Sequence, residues 1–451
     1  MNETTLNRWR SDQTRRGTHT RGTQSVRKAG DIFLMIIMAL AVFRGSQIWF
    51  GYPTSQNDFA PGGTARDSFT LYLLLGTSLA YVAVFPSELL HRLQSANLLL
   101  LGFAAFALAS MATSIDRIGS AVSLLGLCAL MLPVLLFRWR FGEIRALDTA
   151  RRFLLVLVGV NLLYSLAFPN YAIMTGGLAG DWRGMFPHKN WFGAAMAFVT
   201  ILLLPSVRGP ERGDGWWWAY AAGALCSLGL LLISHSSTAL LQILTGGTAL
   251  LGIELTRRFP SSRARIGIVT LMLLLFMLFG VLAGGGALSA AAATVGKDLT
   301  FSGRSFIWAA LIPHIFDNPL TGHGWGMARD AHFMAPLLAS VPFRVNSPHS
   351  TYIELALNIG IPGTVLWVLF VLARLIVIVV TVPQLQTHRV ASARFAAVII
   401  MILVGSATEA GQMLSTRFAL VIMMLALPLD FRRQRPAPSI PARSTGFTGM
   451  P

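Results

Sequence analysis

Apolar runs close to bilayer-spanning length follow one another along most of this chain of 451 residues. They fall at 31–50, 69–87, 96–114, 119–138, 152–169, 191–206, 216–234, 237–256, 266–286, 351–381, 393–413 and 415–430. Roughly 20 helical residues cross the hydrocarbon core of a bilayer, so each run predicts one spanning helix, about twelve in all. The one long interruption is 287–350. The run at 351–381 is longer than a span requires and contains Gly360, Pro362 and Gly363. The pattern predicts an all-α, polytopic membrane protein. It divides into a basic arm (1–30), nine spans (31–286), a large external loop (287–350), three spans (351–430) and a tail (431–451).

Composition agrees with this reading and narrows it. The chain is 54% hydrophobic and 12% charged, with a mean hydropathy of +0.61, which excludes an ordinary soluble enzyme. A net charge of +17 raises the question of nucleic acid, and its distribution answers it. With residue 1 cytoplasmic and the spans alternating, 26 of the 36 Lys and Arg fall in cytoplasmic segments. Only 9 fall outside, and Arg44 lies within the first span, where it is expected to snorkel to the interface. This is the positive-inside pattern, with both termini cytoplasmic; the basic residues orient the protein, and nucleic acid is not an expected partner. The first apolar run is too long for a signal peptide's apolar region and no A-x-A site follows, so it reads as an uncleaved span. Cys128 and Cys226 both lie in spans, form no CxxC pair and say nothing about a redox site.

Candidate chemistry gathers on the external side. The second half of the loop, 303–354, carries Arg304, Asp317, Arg329, Arg344, His349 and Glu354. Trp308, Ile312 and Ile315 recur at helical spacing, which predicts a short helix from Arg304 to about Asn318. Gly322-His323-Gly324-Trp325-Gly326 predicts a turn, since its spacing is not GxGxxG and no strand precedes it. Ser347-Pro348 resembles an N-cap followed by a first helical residue, which would put His349 in the first turn of a spanning helix. There the helix dipole disfavours imidazolium, leaving a neutral base. A second cluster, Arg183, His188, Lys189 and Asn190 with Trp182 and Trp191, suits either an anionic lipid-linked headgroup or an aromatic interfacial belt. Ser234–Thr238 reads as a capping turn. There is no Walker A motif, no DxD pair and no zinc-like spacing among the histidines, so neither a nucleotide, a metal nor any other cofactor is expected.

These residues resemble a known family. Gly303-Arg304 with Trp308, Asp317-Asn318-Pro319-Leu320 with Gly322, Gly324 and Gly326, His349 with Tyr352 and Glu354, and then Gly360 and Gly363 resemble the O-antigen ligase and O-antigen polymerase superfamily. Arg183-Gly184 and Pro187-His188-Lys189-Asn190 with Gly193 look like its ExoQ-like exopolysaccharide-polymerase branch. The resemblance implies a GT-C-like glycosyltransferase of the bacterial inner membrane, with its loop periplasmic. It would take oligosaccharide from undecaprenyl diphosphate and transfer it, with inversion, to a glycan acceptor. Polymerisation of repeat units is the first reading and ligation to lipid A core the second. A lipid-linked saccharide transporter is the third, and would require ionisable groups near the midplane of its spans. By resemblance His349 is the catalytic base, with Ser350 where the family has Asn, and Arg304 and Arg183 hold the diphosphate. Lys189, His188, Asn190, Arg329, Arg344 and Tyr352 are further substrate-binding candidates. A chain-length regulator and a flippase are candidate partners.

Overall fold

The computed structural model describes residues 26–45, 65–86, 98–205, 215–256, scattered positions in 261–274, 303–343, 345, 347–381, 389–411 and 418–426. Most of the basic arm, the tail, the first part of the loop and Arg344 therefore lie outside the described residues. What is described is helical apart from turns and one isolated bridge between Ile173 and Trp182. In order the helices are α1 (26–45), α2 (Ala65–Val84), α3 (Leu98–Ala109), α4 (Arg117–Phe141), α5 (Glu143–Ala167), α6 (Lys189–Leu203) and α7 (Trp217–Ile233). They continue as α8 (Ser237–Thr256), α9 (Arg304–Ile315), α10 (Ala331–Leu337), α11 (Thr351–Thr381), α12 (Arg389–Thr408) and α13 (Phe418–Ala426).

Four of these are long and apolar enough to cross a membrane, namely Arg117–Phe141, Ile144–Ala167, Thr351–Val380 and Ala391–Thr408, and five shorter apolar helices accompany them. The chain is a helical membrane protein. Its centre is α12, whose apolar residues from Ala393 to Leu403 are buried throughout. Small residues let the helices close on it: a Cβ on Gly246 of α8 would strike Met401, and one on Gly405 of α12 would strike Gln242. These two contacts fix α8 antiparallel to α12, with its N-terminus beside the C-terminus of α12.

Charges within the bundle serve its far end. Arg138 donates to the carbonyl of Met424 at 2.6 Å, and Arg394 to that of Leu204 at 2.6 Å. Each thus satisfies a carbonyl that a terminating helix leaves without an intrahelical donor. Arg151 stacks on Tyr220 at 3.9 Å. Arg44, expected to snorkel, is instead buried at 6% exposure.

The long run at 351–381 is one helix interrupted in its middle. Gly360 adopts φ 76°, ψ 176°, which no helix interior tolerates, and Pro362 removes a further amide. A break at this depth leaves backbone groups that must find partners inside the protein. The turn Pro319–Gly324 supplies them. The amides of His323 and Gly324 donate to the carbonyls of Leu357 (2.7 Å) and Asn358 (3.1 Å), and Pro319 accepts from the amide of Ile361 at 2.8 Å. The side chain of Asn358 accepts from Ala328 N at 2.9 Å, and Thr113 donates to the carbonyl of Gly322 at 2.8 Å. The approach is close enough that a Cβ on Gly322 would lie 2.5 Å from the Asn358 carbonyl carbon. The glycine-rich turn is therefore a backbone plug seated in a broken helix.

Candidate active site

The described part of the loop, from Gly303 onward, is a small folded unit. Gly303, at φ 78°, opens α9, with the ring of Phe343 packed where a Cβ would stand. The helix buries Ile307, Leu311 and Ile315 in a cluster with Met334, Leu338, Val341, Ala356 and Leu357, and so fastens the loop to the first half of α11. The apolar stripe is thus 307/311/315. Ile312, which the spacing places on it, is 43% exposed. Trp308 does something different. Its indole N–H donates to the carbonyl of Pro348 at 3.0 Å, pinning the residue before His349. Below α9, His323 donates from Nε2 to the carbonyl of His314 at 2.8 Å, since a carbonyl can only accept.

His349 does not lie in the first turn of α11. The helix begins at Thr351, Ser350 accepts from Glu354 N at 3.0 Å, and His349 has φ 48°. The Ser347-Pro348 pair is passed over because Ser350 starts the helix, and Trp308 already holds the Pro348 carbonyl. The left-handed turn at His349 reverses the chain from the loop into α11. Its imidazole thus stands just outside the helix and is about one-third exposed.

Glu409 is the residue that sequence reasoning did not find. It follows the last residue of α12, is 3% exposed and is anchored by Thr351, which donates to its backbone carbonyl at 2.8 Å. One carboxylate oxygen faces Nδ1 of His349 at 3.9 Å and the other faces Arg304 at 3.7 Å. Both distances exceed hydrogen-bond length and fall within ion-pair range. Burial pulls the Arg304 guanidinium below its ordinary arginine value, and the Glu409 carboxylate opposes that pull. Beside this group a second carboxylate, Glu354, takes Arg329 at 2.5 Å and accepts from Gly411 N at 2.7 Å. Two arginines, one histidine and two buried carboxylates thus converge where α9, α11 and the end of α12 meet.

The remaining candidates divide. Tyr352 lies on α11 and donates its hydroxyl to the carbonyl of Leu403 at 2.7 Å, which ties α11 to α12. Arg183 is 5% exposed and donates to the carbonyls of Tyr171 (2.9 Å) and Pro187 (3.4 Å). His188 caps α6, its Nδ1 accepting from Asn190 N at 3.2 Å. Lys189 pairs with Asp181 at 2.6 Å, and Asp181 also accepts from His235 at 2.8 Å. Burial alone would raise the Asp181 carboxyl, but the hydrogen bonds and charges of Lys189 and His235 outweigh it and hold the group below its usual range. This second cluster is at the same end of the bundle as the first. A Cβ on Gly193 of α6 would meet Ser234, Ser236 and Ala239 at the start of α8, and the α8–α12 register puts that start level with Glu409. Among the described residues no group of three or more His, Cys, Asp or Glu could hold a metal ion.

No curated protein and no solved structure matches this chain. A family model described as O-antigen ligase does match, over residues 222–368. The match takes in most of α7, all of α8, Arg304, the glycine plug, Arg329, His349, Glu354 and the break in α11, while Arg183, Lys189 and Glu409 lie beyond it. Over that part of the chain, about a third of its length, the match supports the resemblance to the O-antigen ligase and polymerase superfamily.

Proposed function

We propose that the protein is a membrane glycosyltransferase that transfers oligosaccharide from undecaprenyl diphosphate to the terminal sugar of a second lipid-linked repeat unit, building a polysaccharide on the periplasmic side of the inner membrane. The observation that carries this reading is the convergence of His349, Arg304 and Glu409 at the membrane end of the folded loop. In the reaction the acceptor hydroxyl oxygen attacks the anomeric carbon from the face opposite the diphosphate. The carbon–oxygen bond to the diphosphate breaks, its electron pair leaves with undecaprenyl diphosphate, and the hydroxyl proton passes to Nε2 of His349. Glu409, facing Nδ1, stabilises the imidazolium that results. Charge develops on the leaving diphosphate, and fixed guanidinium groups in a poorly hydrated site meet it best; in this reading Arg304 and Arg329 supply them. Two of the buried arginines, Arg138 and Arg394, cap helix carbonyls at the far end of the bundle, which favours an enzyme over a transporter.

Purified protein given undecaprenyl-diphosphate oligosaccharide is expected to release undecaprenyl diphosphate and produce a glycan ladder. His349→Ala should lower the rate by about 10²–10⁴-fold. Arg304→Ala should lower it by about 10²–10³-fold, at matched thermal stability. Full activity in His349→Ala would remove the base assignment. The family description favours one other reading, a ligase acting on lipid A core. Turnover that begins only when lipid A core is supplied would establish it.

A further inference from the structure

The arrangement around His349 is built twice. His235 and His349 are the two residues other than glycine with positive φ among the described residues, and both have φ 48°. Each is followed by a buried serine, Ser236 or Ser350, whose carbonyl accepts the amide of a first helical turn at 3.0 Å, from Leu240 in α8 and Glu354 in α11. Each presents Nδ1 to a carboxylate, Asp181 at 2.8 Å and Glu409 at 3.9 Å. Each carboxylate in turn faces a cation that is the first residue of another helix, Lys189 of α6 at 2.6 Å and Arg304 of α9 at 3.7 Å. The left-handed conformation is disfavoured for a residue with a Cβ and persists where the surroundings hold it. Here it turns an imidazole out of the chain beside a helix start, at two places on the same end of the bundle. Adjacent helices pack roughly 8–10 Å apart, so the start of α8 and the end of α12 are within reach of one extended saccharide.

The two units differ in what they offer. His349 is about one-third exposed and belongs to a group with two arginines, whereas the His235 side chain is 66% exposed and its carboxylate is already neutralised by Lys189. Lys189 is closed onto Asp181 at 2.6 Å, whereas Arg304 stands 3.7 Å from Glu409, so the His235 unit is the less suited to a diphosphate and its exposed imidazole suits a polyol. In the neutral imidazole with Nδ1–H donating to Asp181, the exposed Nε2 carries a lone pair that can accept from a hydroxyl. Trp182, whose amide donates to the carbonyl of Ile233 at 3.4 Å, joins the Asp181 segment to the same turn.

We propose that His235 is an acceptor-binding residue, its Nε2 accepting from a hydroxyl of the incoming saccharide while the His349 unit holds the donor. This rests on the transferase reading above. The test uses the full chain in nanodiscs, with undecaprenyl-diphosphate oligosaccharide as donor and the lipid-free repeat-unit oligosaccharide as acceptor. His235→Ala and His235→Asn should raise the acceptor KM about three- to tenfold, the loss of one neutral hydrogen bond, with donor KM and kcat within about twofold of wild type. An unchanged acceptor KM, or a change in donor KM instead, overturns the assignment. A second measurement needs no turnover: in protein with ¹⁵N-labelled histidine, the Nε2 resonance lost in His235→Ala should shift when the acceptor oligosaccharide is added alone. If that resonance shifts but the wild type transfers nothing, the saccharide site stands and the transferase reading falls. If transfer proceeds and neither the resonance nor the acceptor KM moves, this inference falls and the transferase reading stands.

Discussion

Glu409 holds two groups at once, and its substitution separates its role from theirs. Glu409→Gln keeps the volume and the backbone bond to Thr351 but removes the charge facing Arg304 and His349. We expect kcat to fall between about 10- and 10⁴-fold, the range spanned by carboxylates that orient a histidine, with acceptor KM little changed. Glu409→Asp should recover part of the loss, which a purely structural role would not require. Nothing in the sequence marks this residue, because it sits near the end of an apolar run and its partners lie 60 and 105 positions earlier in the chain. His349 and Arg304, which the structure brings to the same carboxylate, drew notice in the sequence because a histidine before an apolar run and an arginine after a glycine are local patterns. The placement of His349 differs from the expected one for an equally local reason: Ser347 and Ser350 are both competent caps, and only the tether from Trp308 selects the second.

At the scale of elements, the fold of the loop and the break in α11 are a single feature. Gly322→Ala forces a Cβ to within 2.5 Å of the Asn358 carbonyl carbon in a left-handed conformation, and neither backbone can yield without opening the plug. We expect a loss of about 2–4 kcal/mol, read as a lower midpoint of thermal unfolding in detergent. Gly247→Ala, in α8 with nothing within 4 Å of its Cβ, should be neutral or stabilising by up to about 1 kcal/mol. The helical elements were readable from apolar runs, and the short loop helix from its spacing, although its buried face proved to be 307/311/315. The purpose of the glycines was not readable. GHGWG looks like a free turn until the carbonyls it satisfies, more than thirty residues away, are in view.

For the molecule as a whole, both clusters lie at one end of the bundle and the arginines that cap α6 and α13 lie at the other. Paired with the distribution of basic residues, this predicts which end faces the cytoplasm. In a background with Cys128→Ser and Cys226→Ser, Asp317→Cys should react with a membrane-impermeant maleimide in spheroplasts, whereas Asp148→Cys should react only after permeabilisation. Both positions are exposed, so equal labelling of the two would contradict the orientation. The all-helical membrane character was legible because the length of apolar runs is a property of composition, while the site depends on which ends of distant helices meet. The plug also has a consequence for how such proteins diverge and how they can be recombined. Because the amides of 323 and 324 complete a helix that lies within the bundle, a loop exchanged alone between relatives must still seat its turn in the break of α11. A transplanted loop that fails to seat would leave carbonyls of α11 bare within the bundle, so the unit to swap is the loop together with the broken helix, and substrate preference should be inherited with that pair.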